Sequence, residues 1–192
     1  MAGDDKVYGD VGTKCFEHFL YSAGALNGVG IDAAPLWDAD DEFFYDVLHL
    51  ETGEYIPLKV RSVVGLIPLL AVETIEPELL DLLPAFKGRM DWFLQHRPEL
   101  ASLVPSWEEP GVGERRLLAL VRGHRMKALL ARMLDPNEFL SDHGVRSLSA
   151  IHRAHPFVLV LGGEGDTVAY EPAGCRTGAF GGEANWRGER KA

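Results

Sequence analysis

The sequence predicts a mainly α-helical fold that carries two small β-hairpins. Apolar side chains recur at helical spacing through several long stretches, which is the pattern of amphipathic helices. Two pairs of short β-rich runs are each joined by turn residues, which is the pattern of hairpins. With 46% hydrophobic and 25% charged residues among 192, the composition is that of a globular domain with a substantial core.

The first predicted element is an amphipathic helix over Val7–Asn27, preceded by a disordered N-terminus at residues 1–6. It ends at Asn27 and Gly28, which are common residues at a helix C-terminus. The acidic opening residues include no apolar run of the kind found in signal peptides. Nowhere do eighteen apolar residues follow one another, so no membrane span is expected.

Three further helices are predicted. The stretch Ser62–Glu73 is nearly all apolar and predicts a buried helix that is kinked at, or starts at, Pro68. Glu78–Arg97 predicts a second helix, and the short joint between these two predicts an αα-hairpin. Gly113–Leu134 predicts the last helix and concentrates the positive charge of the chain.

Two hairpins complete the predicted elements. In the first, a run beginning at Phe43 is joined through Glu51–Glu54 to a second run that ends at Arg61. In the second, Pro156–Leu161 and Thr167–Tyr170 flank a glycine-rich turn.

The net charge and the cysteine content indicate which classes of partner and which cellular location to expect. A net charge of -10 repels phosphate backbones and anionic membranes, so neither nucleic acid nor membrane is expected as a partner. The arginines of the last helix are better explained by a solvated helix face. Two cysteines, Cys15 and Cys175, cannot form a disulfide scaffold, which predicts a cytoplasmic location.

The stretch Pro35–Asp46 is a candidate carbohydrate site. From Asp32 to Glu54 the chain holds eight acids and no lysine or arginine, with Trp37, Phe43, Phe44 and Tyr45 among them. A solvated acidic loop with packed aromatics is the alternative. A calcium-binding loop of the EF-hand type is not expected, because Phe43 and His49 occupy the positions of its turn glycine and its bidentate glutamate.

The strand after this loop brings Lys59 and Arg61 toward the acids. A salt-bridged scaffold is favoured for Lys59 and a ligand clamp for Arg61. His152 and His155 lie three residues apart, but Pro156 disfavours a helix there and no further ligand accompanies them. No metal and no cofactor are therefore expected.

The stretch Thr177–Gly188 is a second candidate sugar-binding loop. Its glycines allow close approach to a ligand, Trp186 can stack on a pyranose, and Asn185 can exchange hydrogen bonds with vicinal hydroxyls. Arg187 can orient its neighbours or the ligand through its planar guanidinium.

Several motifs in one order resemble the C-terminal part of glycoside hydrolase family 63, the bacterial glucosidase I-like group. They are P-L-W-D-x-x-D-x-F-F-Y-D-V, L-K-V-R-S-x-V-G-L-I-P-L, G-E-R-R-L-L-x-L-V-R-G-H-R, G-V-R-S-L-S and F-G-G-x-x-N-W-R-G. The resemblance implies a partial (α/α)6 barrel of helical hairpins, with the two small β-hairpins in the loops on the active-site side. It also implies hydrolysis of an α-linked glucoside or mannoside with inversion, through a carboxylic acid and a carboxylate.

The departures from the family pattern concern the ends of the chain and position 42. The family commonly has glycine where this chain has Glu42, and N-S-N-W-R-G-P-I-W where it has E-A-N-W-R-G followed by Glu189–Ala192. On the resemblance, the general acid lies upstream of this segment and the general base lies downstream. Residues 7–188 are therefore predicted to be a segment of the catalytic domain, and residues 189–192 an aberrant tail.

The resulting site prediction contains no catalytic residue. The expected partner is an oligosaccharide or small glycoside, with self-association through the unsatisfied flanks of the barrel. The alternative function is a non-catalytic carbohydrate-binding or helical interaction module. The predicted substrate-binding residues are Trp37, Asp38, Phe44, Tyr45, Arg61, Asn185, Trp186 and Arg187.

Overall fold

The computed structural model describes residues 6–29, 34–104, 111–121 and 123–170. Both helices and strands occur along these ranges. In chain order, the elements are α1 Lys6–Leu26, β1 Trp37–Asp38, β2 Phe43–Phe44, β3 Asp46–His49, β4 Tyr55–Leu58, a 3-10 helix Val63–Leu70, β5 Val72–Ile75, α2 Pro77–Leu82, α3 Pro84–His96, α4 Pro98–Ala101, a 3-10 helix Val112–Glu114, β6 Arg116–Ala119, α5 Gly123–Met133, β7 Leu140–Ser141, β8 Gly144–Val145, a 3-10 helix Ala150–Arg153, β9 Phe157–Leu161 and β10 Glu164–Val168.

The chain divides into two compact units, each assembled from two separate stretches of sequence. The first unit takes its described residues from Met1–Pro35 and Leu69–Val121, and the second from Leu36–Pro68 and Arg122–Ala192. Each unit has its own buried side chains.

The first unit is built on α1 and α3, with the antiparallel pair β5–β6 beside them. The ring of Phe16 on α1 packs edge-on against Phe86 and Phe93 of α3, with centroids 6.1 and 6.4 Å apart. Such aromatic pairs add to the stabilisation that comes from area burial alone. The buried core of this unit consists of Phe16, Leu20, Ile75, Leu80, Phe86, Met90, Phe93, Leu100, Val104 and Leu118.

Prolines determine where the short helices of this unit begin. Pro77, Pro84 and Pro98 each occupy the first turn of α2, α3 and α4, where a missing N–H costs no hydrogen bond. The predicted helix Glu78–Arg97 is therefore broken between α2 and α3. Leu83, the residue before Pro84, leaves the helical region with φ -121° and ψ 65°, as the steric clash of a proline ring with its predecessor requires.

The second unit holds α5 and the four pairs β1–β2, β3–β4, β7–β8 and β9–β10. Phe43 on β2 is fully buried and stacks on Phe139, with ring centroids 5.9 Å apart and planes 13° apart. Gly65 in the 3-10 helix lies directly against Phe43 and the carbonyl oxygen of Phe44, where a Cβ atom would overlap both. The close approach of this helix to β2 therefore depends on glycine.

The prediction of a mainly α fold, and of a partial (α/α)6 barrel of helical hairpins, is wrong. Among the described residues, ten strands form five separate two-stranded antiparallel sheets, so the fold mixes helices and strands. Within the predicted helix Ser62–Glu73, the 3-10 helix ends at Leu70 and β5 begins at Val72. Pro68 cannot continue an α-helix, and all four residues of β5 pair with β6.

The predicted helix Gly113–Leu134 is wrong in its first half, because this part pairs as a strand with β5. Arg116–Ala119 is strand β6, and helix begins only at Gly123. The αα-hairpin predicted from Ser62–Glu73 and Glu78–Arg97 is wrong as well. A 3-10 helix and β5 take the place of its first helix and of the joint.

Three local predictions are confirmed: α1, the β3–β4 hairpin and the β9–β10 hairpin. Two strand bounds differ from the prediction, because β3 begins at Asp46 and not at Phe43, and β10 is Glu164–Val168 and not Thr167–Tyr170. The turn between Leu161 and Glu164 consists of Gly162 and Gly163, both with positive φ, at 59° and 89°. Two consecutive positive φ angles match the right-handed twist of the strands, which explains the glycine pair. In the part of the chain that the structure describes, none of the helices combines the length and apolar character that crossing a bilayer would need.

Candidate functional site

Arg61 lies at the centre of a polar network in the second unit. Its Nε donates to Tyr45 Oη at 3.0 Å, its Nη2 to Asp41 Oδ1 at 3.2 Å and its Nη1 to Glu138 Oε1 at 3.2 Å. The side chains of Arg61 and Glu138 are each 12% exposed, so both charges lie largely out of water and need each other. Burial raises the pKa of the Tyr45 hydroxyl, which therefore stays protonated.

Lys59 forms the exposed edge of this network. Its Nζ lies 2.7 Å from Asp38 Oδ2 and 3.0 Å from Asp41 Oδ2. The hydrogen bond from Lys59 lowers the pKa of Asp38, and the two carboxylates together raise the pKa of Lys59. For Asp41, burial acts to raise the pKa, but the hydrogen bond from Lys59 and the charges of Lys59 and Arg61 lower it.

Glu138 forms the buried edge of the network around Arg61. Arg132 on α5 donates from Nη1 to Glu138 Oε1 at 2.6 Å and from Nη2 to the main-chain carbonyl of Asp41. The hydroxyl of Ser149 donates to Glu138 Oε2 at 3.3 Å. Three acids, Asp38, Asp41 and Glu138, thus face three cations, Lys59, Arg61 and Arg132, and the network carries no net charge.

The loop between β1 and β2 is held rigidly by the first of these acids. Asp38 Oδ1 accepts the main-chain N–H groups of Asp40 at 3.0 Å and Asp41 at 2.8 Å, which is the local turn that aspartate favours. Glu42 closes the turn in the left-handed region with φ 48°. Asp40 and Glu42 both project into solvent.

Trp37 stands beside this loop, half-buried on β1. Its indole packs edge-on against Phe44, with centroids 4.9 Å apart, and the guanidinium of Arg125 lies 4.8 Å from the ring centroid. The ring of His124 is the next neighbour, at 6.4 Å. Burial lowers the pKa of Arg125, and a cation held over an indole face is a stabilising arrangement.

His152 connects Arg61 to the last 3-10 helix. Its Nε2 accepts the main-chain N–H of Arg61 at 2.9 Å, and its Nδ1 lies 2.9 Å from the carbonyl oxygen of His155. Both ring nitrogens are thereby engaged by the main chain, so this buried histidine has a structural role. Within the described ranges, no group of three or more His, Cys, Asp or Glu side chains is arranged to hold a metal ion.

The structure brings together five of the eight predicted site residues. Trp37, Asp38, Phe44, Tyr45 and Arg61 lie in or beside the network, whereas Asn185, Trp186 and Arg187 lie outside the described residues. Lys59 is salt-bridged, as predicted. Arg61, expected to clamp a ligand, has its guanidinium engaged by protein groups on three sides.

Six residues in or beside the network were missing from the predicted set: Asp41, Lys59, Arg132, Glu138, Ser149 and His152. Asp41 lies in the acidic stretch from Asp32 to Glu54, so the composition of that stretch could have identified it as a site residue. Arg132, Glu138 and His152 lie at least seventy positions beyond Arg61, and nothing in the local sequence relates them to it. Only their burial reveals them, since Glu138 and His152 are among the few buried polar side chains in the described chain.

A comparison with known proteins finds a longer relative. The chain is 40% identical, over 201 residues, to a protein of Saccharomyces cerevisiae described as uncharacterized protein YMR196W. The match covers 98% of this chain and 18% of the yeast protein, so the chain spans less than a fifth of the length of that relative. No family model matches the chain, and no solved structure matches it significantly.

Proposed function

We propose that the chain is a segment of a glycoside hydrolase that acts on an α-linked glucoside or mannoside with inversion. In this proposal the segment carries substrate-binding loops and leaves the acid/base pair to other parts of a longer protein. The ordered motifs that resemble glycoside hydrolase family 63 support it. The relation to a yeast protein of which this chain covers 18% supports a place within a longer polypeptide.

The observation that carries the proposal is the rigid loop beside Trp37. Asp38 is fixed by Lys59 and by two main-chain N–H groups, so the loop keeps one shape without a ligand. This shape exposes the carboxylates of Asp40 and Glu42 next to a half-buried indole. An aromatic surface with preorganised hydrogen-bond acceptors beside it is suited to a sugar.

The backbone at Glu42 supports the resemblance independently of the side chains. The family motif commonly has glycine at this position, and here the residue has φ 48°. Glycine occupies that region with little cost, whereas other residues are strained there. A turn of this shape thus accounts for the glycine of the motif.

The network acids are better suited to positioning than to proton transfer. A general acid needs a pKa raised toward the working pH. The hydrogen bond from Lys59 lowers the pKa of Asp38. Burial acts to raise the pKa of Asp41, but Lys59 and Arg61 lower it. Asp38 and Asp41 therefore remain ionised at neutral pH. Glu138 is held between Arg61 and Arg132.

The proposed setting is a reducing cytoplasm with an oligosaccharide or small glycoside as partner, without nucleic acid, membrane or cofactor. Self-association is also proposed. The surface that supports it is the pair Val158 and Val160, exposed on one face of β9. A non-catalytic carbohydrate-binding module is the second candidate, favoured by the same ion-paired carboxylates.

Binding and cleavage are tested separately on the purified chain. Methyl α-glucoside and methyl α-mannoside are titrated while the indole N–H of Trp37 is followed by NMR. We expect that signal to shift with one of the two sugars. We expect Trp37→Leu to abolish the shifts that the same sugar induces in the main-chain N–H groups of Asp38 and Asp40. Absence of any shift in Trp37 with both sugars would overturn the proposed site.

The catalytic part of the proposal is tested with nitrophenyl α-glycosides. We expect no turnover by the pure chain. Glu183 is the acid in the candidate loop Thr177–Gly188. Turnover that is abolished by Glu183→Gln would show that the segment contains a working acid, and would reject the proposal that the acid/base pair lies elsewhere. Sugar binding without turnover by the stably folded chain alone would favour the non-catalytic module.

A further inference from the structure

A cleft of about 550 Å³ opens on the first unit beside the packing of α1 against α3. It shares no residue with the network around Arg61. Its size falls in the range of about 300–1,000 Å³ that is usual for small-molecule sites. The lining residues are Glu17, Tyr21, Gly88, Arg89, Trp92 and Phe93.

The helical positions explain why a cleft forms here. Glu17 and Tyr21 lie one turn apart on α1, and Gly88 and Trp92 lie one turn apart on α3, so each pair shares a face. Phe93 is buried beneath them. A Cβ atom at Gly88 would meet nothing within 4 Å, so the missing side chain leaves the cleft open.

Two aromatic rings are presented to this cleft in fixed orientations. Trp92 is 54% and Tyr21 is 49% exposed, which is high for such large side chains. The ring of His96 stacks on Trp92 with centroids 4.4 Å apart and planes 16° apart. Arg97 Nη1 donates to Tyr21 Oη at 3.3 Å. Held rings lose little conformational entropy when a ligand binds.

The polar groups of the cleft have opposite charges and are loosely paired. Arg89 Nε lies 3.9 Å from Glu17 Oε1, which is too long for a hydrogen bond. Lys14 contacts the other oxygen, Glu17 Oε2, at 2.8 Å. A ligand can therefore donate to Glu17 Oε1 and accept from the Arg89 guanidinium without displacing a short contact.

We propose that this cleft is a second saccharide-binding site, separate from the loop beside Trp37. A pyranose has an apolar C–H face for Trp92 and Tyr21, and hydroxyls that both donate to Glu17 and accept from Arg89. A purely apolar ligand would bury the charge of Arg89 without a hydrogen bond. An anion would lie against Glu17, and a cation would lie against Arg89 and Lys14, so a neutral polyol is the ligand that meets no like charge.

The site is tested by filling it. Gly88→Leu places a side chain in the open space and, because leucine favours a helix more than glycine does, α3 is expected to stay folded. The matched control is Gly9→Leu, on α1 two turns before Glu17, where a Cβ atom also meets nothing within 4 Å. Arg89→Met removes the donor group while keeping an unbranched side chain.

The probes are maltotriose, mannotriose and cellotriose, and the readout is the NMR shift of the Trp92 indole N–H. We expect one of them to bind the wild-type chain, with Gly88→Leu and Arg89→Met each weakening it by about tenfold or more, a loss of at least about 1.4 kcal/mol. Gly9→Leu and Trp37→Leu are expected to change the Trp92 titration by less than about twofold.

Three results overturn the proposal. The first is the absence of any Trp92 shift with all three probes up to about 20 mM, a concentration that detects even very weak binding. The second is equal weakening by Gly88→Leu and Gly9→Leu. The third is loss of self-association in Gly88→Leu without any effect of sugar, which would identify the occupant as a second copy of the chain. The Trp37→Leu variant lacks the site beside Trp37 but keeps the cleft. Its Trp92 titration therefore distinguishes failure of this proposal from failure of the proposed site at Trp37.

Discussion

The main-chain N–H of Arg61 donates to Nε2 of His152 at 2.9 Å across a separation of 91 residues. The other ring nitrogen lies 2.9 Å from the carbonyl oxygen of His155. A neutral imidazole with its proton on Nδ1 satisfies both main-chain groups, a tautomer assigned from these two bonds. One buried side chain therefore joins two stretches of main chain that are far apart in sequence.

Replacing His152 with phenylalanine should lower the free energy of unfolding by about 2 kcal/mol. The substitution keeps a ring of similar size but leaves the N–H of Arg61 and the carbonyl of His155 without their partner. Urea unfolding followed by circular dichroism measures the change. His155→Phe is the matched control, since His155 contributes only its carbonyl, and a change below about 0.5 kcal/mol is expected there. Equal effects of the two substitutions would contradict a role of the His152 ring.

The same substitution at two glycines should change stability in opposite directions. At Gly65, an added methyl group overlaps the ring of Phe43 and the carbonyl oxygen of Phe44, so Gly65→Ala should cost about 1–3 kcal/mol. At Gly88, within α3 and with open space around it, Gly88→Ala should stabilise the protein by about 0.5–1 kcal/mol. Thermal unfolding of both variants beside the wild type tests the pair. A stable Gly65→Ala variant would contradict the close packing against β2.

Acid should weaken the fold through Asp38. Folding lowers the pKa of this carboxyl through its hydrogen bond to Lys59. The stabilisation it contributes is therefore present above its unfolded pKa of about 4, and is lost as the pH falls through the lower folded value. We expect Asp38→Asn to lower stability at pH 7 and to flatten its dependence on pH below about 4.

The Asp38 variant is designed to remove charge alone. Asparagine retains an oxygen that can accept the N–H groups of Asp40 and Asp41, so the turn is kept. Asp40→Asn, at an exposed neighbouring position, serves as the control. Urea midpoints measured from pH 7 down to about pH 2 compare the three proteins. Parallel curves for wild type and Asp38→Asn would rule out the assigned ion pair.

Glu42→Gly should stabilise the chain. The residue has φ 48°, a region that costs an L-residue about 1–2 kcal/mol, whereas glycine loses about 0.5–1 kcal/mol of unfolded-state entropy. The net gain expected is about 0.5–1 kcal/mol, measured by thermal unfolding. Glu42→Ala keeps the backbone strain and removes the charge, so it should give little gain. If alanine stabilises as much as glycine, repulsion among the acids is the cause instead.

The parts of the fold that were predictable are those determined by neighbouring residues. The α1 helix follows from its apolar spacing, and the β9–β10 turn from Gly162 and Gly163. The salt bridge of Lys59 followed from an acidic stretch with no cation of its own and a strand that returns beside it. In each case the interaction spans few enough residues for the local pattern to specify it.

The errors arose where distant residues decide the structure. The apolar stretch Ser62–Glu73 predicted a helix, but its last two residues belong to β5, which pairs with Arg116–Ala119. Burial of Glu138 depends on Arg61 and Arg132, and neither position marks it as an interior acid. Apolar composition alone does not distinguish a buried helix from a strand whose partner lies far along the chain.

The division of each unit between two stretches of sequence has a consequence for synthesis. A ribosome adds about 5–20 residues per second, so His152 emerges roughly 5–18 seconds after Arg61. The first unit can be completed at Val121, while residues 36–68 of the second must wait for α5 and the strands that follow it. During that interval β3 and β4 are nascent strands with unpaired edges. The eight acids from Asp32 to Glu54, with no lysine or arginine among them, lie before, in and between these strands, and their charge repels other nascent chains during that interval.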